Sequence, residues 1–192
     1  MVLEFPKHVT IVEQGPRDGF QNEKEIISTQ DKVKIIDTLS GTGLKQIQVT
    51  SFVHPKWVPQ LGDAEEVLKL IKRVEGVNYS ALVLNERGLQ RAVDSDIGTM
   101  DVGVSASEAH SRKNVNMTVQ EALDRILSVI GAGKKAGLKV RAGVMCSFGC
   151  VFQGDVPAEE VIRIATSFLS AGVTGIGLAD TTGMGNPRQV YE

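Results

Sequence analysis

Short apolar β-rich runs alternate along the chain with segments whose apolar residues recur at helical spacing. Val9-Thr10-Ile11-Val12 is the first such run. A helix follows from Ser28 to Leu39, with Val33, Ile36 and Leu39 on one face and Ser28 and Asp31 at capping-box spacing. Ile47 to Thr50 reads as a second strand, Asp63 to Lys72 as a second helix and Tyr79 to Leu84 as a third strand. A short helix over Glu86 to Val93 leads to a strand over Met100 to Val104. Thr118 and Glu121 form another capping box, after which Leu123, Ile126, Leu127 and Ile130 fit one helical face. Val140 to Met145 is a fifth strand, Pro157 opens a helix carrying Val161, Ile164, Ala165 and Phe168, and Ile176 to Leu178 is a sixth strand. Pro187 opens a last helix.

Three stretches, "SGTGLKQIQV", "KKAGLKVRAGV" and "LSAGVTGIGL", each end a helix on glycine and pass into a strand. Repeated βα units imply a parallel α/β sheet, either doubly wound or a (β/α)8 barrel. No glycine-rich dinucleotide fingerprint follows the first strand, and "GMGNPR" at Gly183 holds only two of its three glycines. Long polar loops follow strands one (Gln14 to Ile27), two (Ser51 to Gly62), four (Ser105 to Met117) and five (Cys146 to Val156), whereas the return loops are short. In a barrel that asymmetry puts the chemistry at the C-terminal ends of the strands.

Composition narrows the class. The chain has 192 residues, 42% hydrophobic, and a net charge of -2. The near balance of charge argues against nucleic acid or a membrane surface as partner. No apolar run approaches the ~20 residues of a membrane span. The start, "MVLEFPKHVTIVE", lacks the basic-then-apolar order of a secretory signal, so a cytoplasmic protein is expected. Cys146 and Cys150 are too few for a disulfide framework and read as buried free thiols rather than metal ligands.

The most polar stretch is "VEQGPRDGFQNEK", Val12 to Lys24. A turn needs its Gly15, Pro16 and Gly19 but not an Arg-Asp pair. Arg17 and Asp18 therefore read either as a fixed cation beside a carboxylate ligand for a hard divalent ion, or as an exposed charge pair worth little.

This stretch, together with "VTSFVHPKWVPQLGDAEEV", "ASEAHSRKNVN", "VRAGVMCSFGC" and "GLADTTGMGNP", closely resembles the 3-hydroxy-3-methylglutaryl-CoA lyases, metal-dependent TIM barrels grouped with isopropylmalate synthases. The resemblance implies cleavage of that acyl-CoA to acetyl-CoA and acetoacetate with Mg2+ or Mn2+, as in leucine degradation and ketone-body formation. Asp18 then corresponds to a metal ligand and Arg17 to the arginine that neutralises a developing enolate. Gln21, Lys24, Ser51, Ser107, Arg141, Asp180 and Thr181 are the candidate substrate contacts. Arg141 could instead form a structural ion pair with Glu13 or Asp180, Ser51 and Ser107 could be caps, and Lys24 and the "SRKN" run could be solvated. Trp57 reads as packing for its loop.

Two departures stand out. Gln48 occupies the place of a family glutamate, keeping the acceptor but not the charge. The family's His-x-His pair, later Asn and Cys loop have no counterpart. Residues 1–192 are therefore expected to form a single incomplete TIM-barrel domain of six βα units, without strands seven and eight. A homo-oligomer is expected. The alternatives are a related acyl-CoA or 2-oxo-acid lyase or condensing enzyme, and a non-catalytic fragment.

Overall fold

The structure, a computed structural model, describes residues 6–191. The described residues pack as two compact units that meet in the sequence between Ala81 and Leu82.

The first unit runs β1 (Val12–Glu13), a wide helical turn (Gly15–Gly19), α1 (Thr29–Ser40), β2 (Gln46–Ser51), a tight turn (Pro59–Leu61) and α2 (Ala64–Leu70), and ends in β3 (Asn78–Leu82). Its strands are neighbours in the order β1-β2-β3. β1 is shorter and later than the expected Val9 to Val12. Only Val12 and Glu13 find parallel partners, Gln46 and Ile47, and β2 begins at Gln46, so Val9 and Ile11 have no ladder opposite them and stay exposed. Ser28 caps α1 as its spacing predicts, accepting from Asp31 N at 3.2 Å. Ile36, Ile47, Val49, Phe52, Leu61, Val67 and Leu68 fill the core, each contributing ~1.5–3 kcal/mol relative to exposure.

The second unit holds α3 (Glu86–Asp94), β4 (Thr99–Ser105), α4 (Glu108–Val115), α5 (Val119–Lys135), β5 (Lys139–Met145), α6 (Ala158–Ser170), β6 (Gly175–Leu178) and α7 (Pro187–Tyr191). Its strands lie in the order β4-β5-β6, all parallel. Alternation sets two faces. Met100, Val102 and Val104 are buried beside Val140, Ala142 and Val144, and a Cβ on Gly133 would fall 2.4 Å from Met100 Cε, so this face packs on α5. Asp101, Gly103 and Ser105 pair with Arg141, Gly143 and Met145 on the other.

The stretch expected as a long loop, Ser105 to Met117, contains α4. Ser107 caps its start, accepting from His110 N, while Glu108 in the first turn and Arg112 and Lys113 in the last suit the helix dipole. Asn116 ends it in the left-handed conformation, φ 55°. The helix shows almost no apolar stripe, and that is why periodicity missed it. The glycine repeat is as the sequence predicts: Gly43, Gly137 and Gly172, after α1, α5 and α6, have φ of 93°, 86° and 75°.

Candidate active site

In the first unit the turn after β1 builds a fixed cation. Pro16 is buried, and the N–H groups of Arg17 and Asp18 both donate to Gln14 O, at 3.0 and 2.7 Å. The side chain of Arg17 then reaches acceptors on Gln48, Asp18 and Gln14. Nε donates to Gln48 Oε1 at 2.5 Å, Nη1 to Asp18 Oδ1 at 2.7 Å and Nη2 to Gln14 Oε1 at 3.1 Å. Gln48 is buried in mid-β2, the Arg17 side chain is 16% exposed and that of Asp18 is 59% exposed. An arginine anchored at each nitrogen is pre-oriented, and Gln48 orients it without neutralising it.

Ser51 ends β2 fully buried, its Oγ without a hydrogen-bond partner. The side chains of Gln21 and Lys24 make no hydrogen bond or ion pair among the described residues, and Lys24 is exposed. Trp57, expected as packing, instead stands 79% exposed with Lys56 Nζ 6.0 Å from its ring. Gln14 was not foreseen as a site residue; its position next to β1's end was the available signal.

A single half-exposed carboxylate, already accepting from Arg17, does not fit a tightly held Mg2+ or Mn2+, which needs several placed oxygens. The described residues contain no cluster of three His, Cys, Asp or Glu that could hold a metal.

In the second unit a polar cluster surrounds two buried thiols at the end of β5. Ser107 Oγ donates to Gln153 Oε1 at 3.0 Å while capping α4, as the cap reading anticipated. Thr181 Oγ1 accepts from Cys146 N at 2.9 Å. Asp180 folds its own loop, accepting from Met184 N at 2.9 Å and Gly185 N at 3.1 Å. Burial pushes the Cys146 thiol up, against hydrogen bonds from Ser105 and Thr181. Burial also acts to raise the Cys150 thiol, but Ser107 and the N–H groups of Phe152 and Gln153 outweigh it and bring it down. Both thiols are free, as expected.

Arg141 does not join this cluster. It lies four residues before Met145, the end of β5, and grips Asp101 with Nε–Oδ1 at 2.7 Å and Nη2–Oδ2 at 2.9 Å. The expected partners Glu13 and Asp180 are both engaged elsewhere, Glu13 accepting from Gly15 N at 2.6 Å. Register decides the pairing, because Asp101 stands directly opposite Arg141. An Asp inside the apolar run "TMDVGV" was the legible signal.

The sequence profile of the HMGL-like family matches residues 8–192. The chain belongs to the HMGL-like family. It is 48% identical over 188 residues to the hydroxymethylglutaryl-CoA lyase YngG of Bacillus subtilis, covering 98% of this chain and 63% of that one. It is 44% identical to the mitochondrial hydroxymethylglutaryl-CoA lyase of Homo sapiens, covering 95% of this chain and 56% of the other. The crystal structure of the Bacillus subtilis HMG-CoA lyase superposes with a TM-score of 0.95 over 98% of this chain and 63% of that one, at 48% identity. An HMG-CoA lyase from Acinetobacter baumannii, solved with coenzyme A and 3-methylmalate, gives 0.92 at 34% identity, over 98% and 62%. The HMGL-like chain therefore has six βα units of the TIM-barrel type, and spans 56–63% of the length of these relatives.

Proposed function

We propose that the protein to which these residues belong cleaves 3-hydroxy-3-methylglutaryl-CoA to acetyl-CoA and acetoacetate. The observation that carries the reading is the anchored guanidinium of Arg17, held by Gln14, Asp18 and Gln48 in a chain of the HMGL-like family.

In this reaction a base takes the proton of the tertiary hydroxyl and the C2–C3 bond breaks. C3 becomes the ketone carbon of acetoacetate, and the electron pair moves onto the acetyl thioester as an enolate that is then protonated. Negative charge arrives on the thioester oxygen, where a pre-oriented arginine is worth ~3 kcal/mol, about 10²–10³ in rate. Gln48 fixes where that charge points. Ser51, with its buried and unpartnered hydroxyl, has a hydrogen bond to give to substrate, and Gln21 and Lys24 offer further polar contacts. Ser107, Asp180 and Thr181 shape the loops after β4 and β6. A divalent metal, Mg2+ or Mn2+, belongs to the same proposal. Asp18 would give it one ligand, and the described residues hold no cluster that would complete its shell. A cytoplasmic, homo-oligomeric protein is part of the reading, with exposed Ile162, Leu169 and Leu178 supporting association.

The test is acetoacetate release from 3-hydroxy-3-methylglutaryl-CoA with Mn2+, with EDTA, and in Arg17→Met. Release that Arg17→Met reduces about 10²-fold or more supports the lyase. The poorly fitting metal site favours a second reading, a non-catalytic acyl-CoA binder, which binding without release would establish. Release unaffected by Arg17→Met overturns the role given to Arg17.

A further inference from the structure

The loops after β1 and β2 are joined through one buried cation. Lys32, near the start of α1, is 2% exposed, although lysine is rarely buried unless paired. Its Nζ donates to Gln60 O at 2.5 Å and to Asp63 Oδ1 at 2.6 Å. The second oxygen of Asp63 accepts from Thr29 Oγ1 at 2.7 Å. Asp63 occupies the capping position of α2, yet its side chain makes no capping bond there. The carboxylate is diverted from the role its position favours to the lysine.

Gln60 carries the link onward. Its Nε2 donates to Glu23 O at 2.9 Å, a backbone oxygen of the loop that bears Arg17 and Asp18. The connection thus runs from α1 through the second loop to the first. The second loop is folded tightly at this point: a Cβ on Gly62 would meet Pro59 O at 3.2 Å and Pro55 Cβ at 3.3 Å. A loop with so little slack adopts the position its anchor sets.

We propose that Lys32 is a positioning residue, whose buried ammonium seats the loop from Pro55 to Gly62 and, through Gln60, the Arg17 loop, for binding of the acyl-CoA. The substrate named here rests on the proposed lyase reading; the clamp itself does not. Without the ammonium, Gln60 O loses its donor and Asp63 its counter-charge, so the loop loses its seat while the strands below keep theirs.

The chain has one tryptophan, Trp57, and it lies exposed in this loop, so its fluorescence anisotropy reports loop freedom directly. Lys32→Met should lower that anisotropy and speed amide exchange across residues 54–62 about tenfold or more, with amides of β2 unchanged. The KM for 3-hydroxy-3-methylglutaryl-CoA should rise about tenfold as the loop from Pro55 to Gly62 loosens, and kcat should fall by less than the loss expected for Arg17→Met, because the Gln60 tie is one of several that hold the Arg17 loop. Lys32→Arg should restore part of each effect. Should Lys32→Met fail to fold, Thr29→Val keeps the ion pair and should give a smaller version of the same pattern. Unchanged anisotropy and exchange overturn the proposal, as does exchange that rises equally through the whole first unit. Local loosening in a protein that does not bind 3-hydroxy-3-methylglutaryl-CoA upholds the clamp and removes the lyase reading instead.

Discussion

Asp101 and Arg141 face each other across β4 and β5 in direct register and close two hydrogen bonds, at 2.7 and 2.9 Å. Both side chains are largely buried, at 11% and 21% exposure. Removing one partner takes two charge-assisted hydrogen bonds from a largely buried charge. Arg141→Met should therefore cost ~3 kcal/mol of stability, whereas Arg141→Met with Asp101→Leu should cost clearly less. Urea unfolding followed by circular dichroism checks both. If Arg141→Met kept full stability and lost acyl-CoA affinity, the arginine would belong to the substrate instead.

Gln48 gives Arg17 an acceptor without charge. Gln48→Leu leaves a partly buried guanidinium nitrogen without this acceptor and should cost ~1.5–3 kcal/mol. Gln48→Glu should be tolerated, because the geometry already suits a charge-assisted bond. Comparing acetoacetate release by Gln48→Glu and the parent protein reads whether an ionisable group at this place matters. A rise assigns it a role in the chemistry, and equal rates confine position 48 to orienting Arg17.

His110 carries a pH signature. Burial lowers its pKa from the ordinary 6.5, and its Nδ1 is buried without a partner while its ring stacks on Phe152, centroids 6.4 Å apart. Between the folded pKa and 6.5 the unfolded chain binds more proton than the folded one, so stability rises with pH in that window. The contribution is complete above 6.5 and is lost as pH falls through the folded pKa. His110→Phe should flatten this part of the stability–pH curve and, by removing an unsatisfied nitrogen, raise stability by ~1 kcal/mol. An unchanged slope between pH 5 and 7 in urea titrations would sink the assignment.

Gly133 sets helix propensity against packing. Alanine there gains ~1 kcal/mol of intrinsic helix preference. Its Cβ would press on Met100 Cε at 2.4 Å and Sδ at 2.8 Å, and Met100 is fully buried with no solvent to retreat into. Overpacking of this kind costs ~1–3 kcal/mol. Gly133→Ala should therefore lower the Tm, and adding Met100→Val should bring it back up. A stabilised single variant would show that the methionine tail has another rotamer available.

The alternating elements were legible because each carries its own signal: caps at Ser28 and Thr118, an apolar face at Leu123 to Ile130, left-handed glycines at Gly43, Gly137 and Gly172. α4 escaped because its residues, Ala109 and Val115 apart, are polar and form no apolar stripe, and only Ser107 and Asn116 mark its ends. β1 was misplaced because β propensity at Val9 and Ile11 says nothing about whether a partner strand lies alongside. At the site, Arg17, Asp18 and Gln48 were identifiable as a group from motif and resemblance, and they do touch. The partner of Arg141 was not, because register across two strands is a tertiary property. Gln153, the acceptor for Ser107, stayed hidden for the same reason: it lies 46 positions away in the chain.

β1 contributes only two paired positions to its ladder, whereas β4 and β5 share seven. The strand that delivers Arg17 thus has very little backbone holding it in place and depends on side-chain ties, chiefly the one to Gln48. Hydrogen exchange should show this as a gradient, with the amides of Val12 and Glu13 opening at a small fraction of the free energy that guards Val102 and Val144. The turn that carries Arg17 is then also among the first to come loose, and a protease or a mild denaturant would part the arginine from Gln48 well before it unravels the sheet.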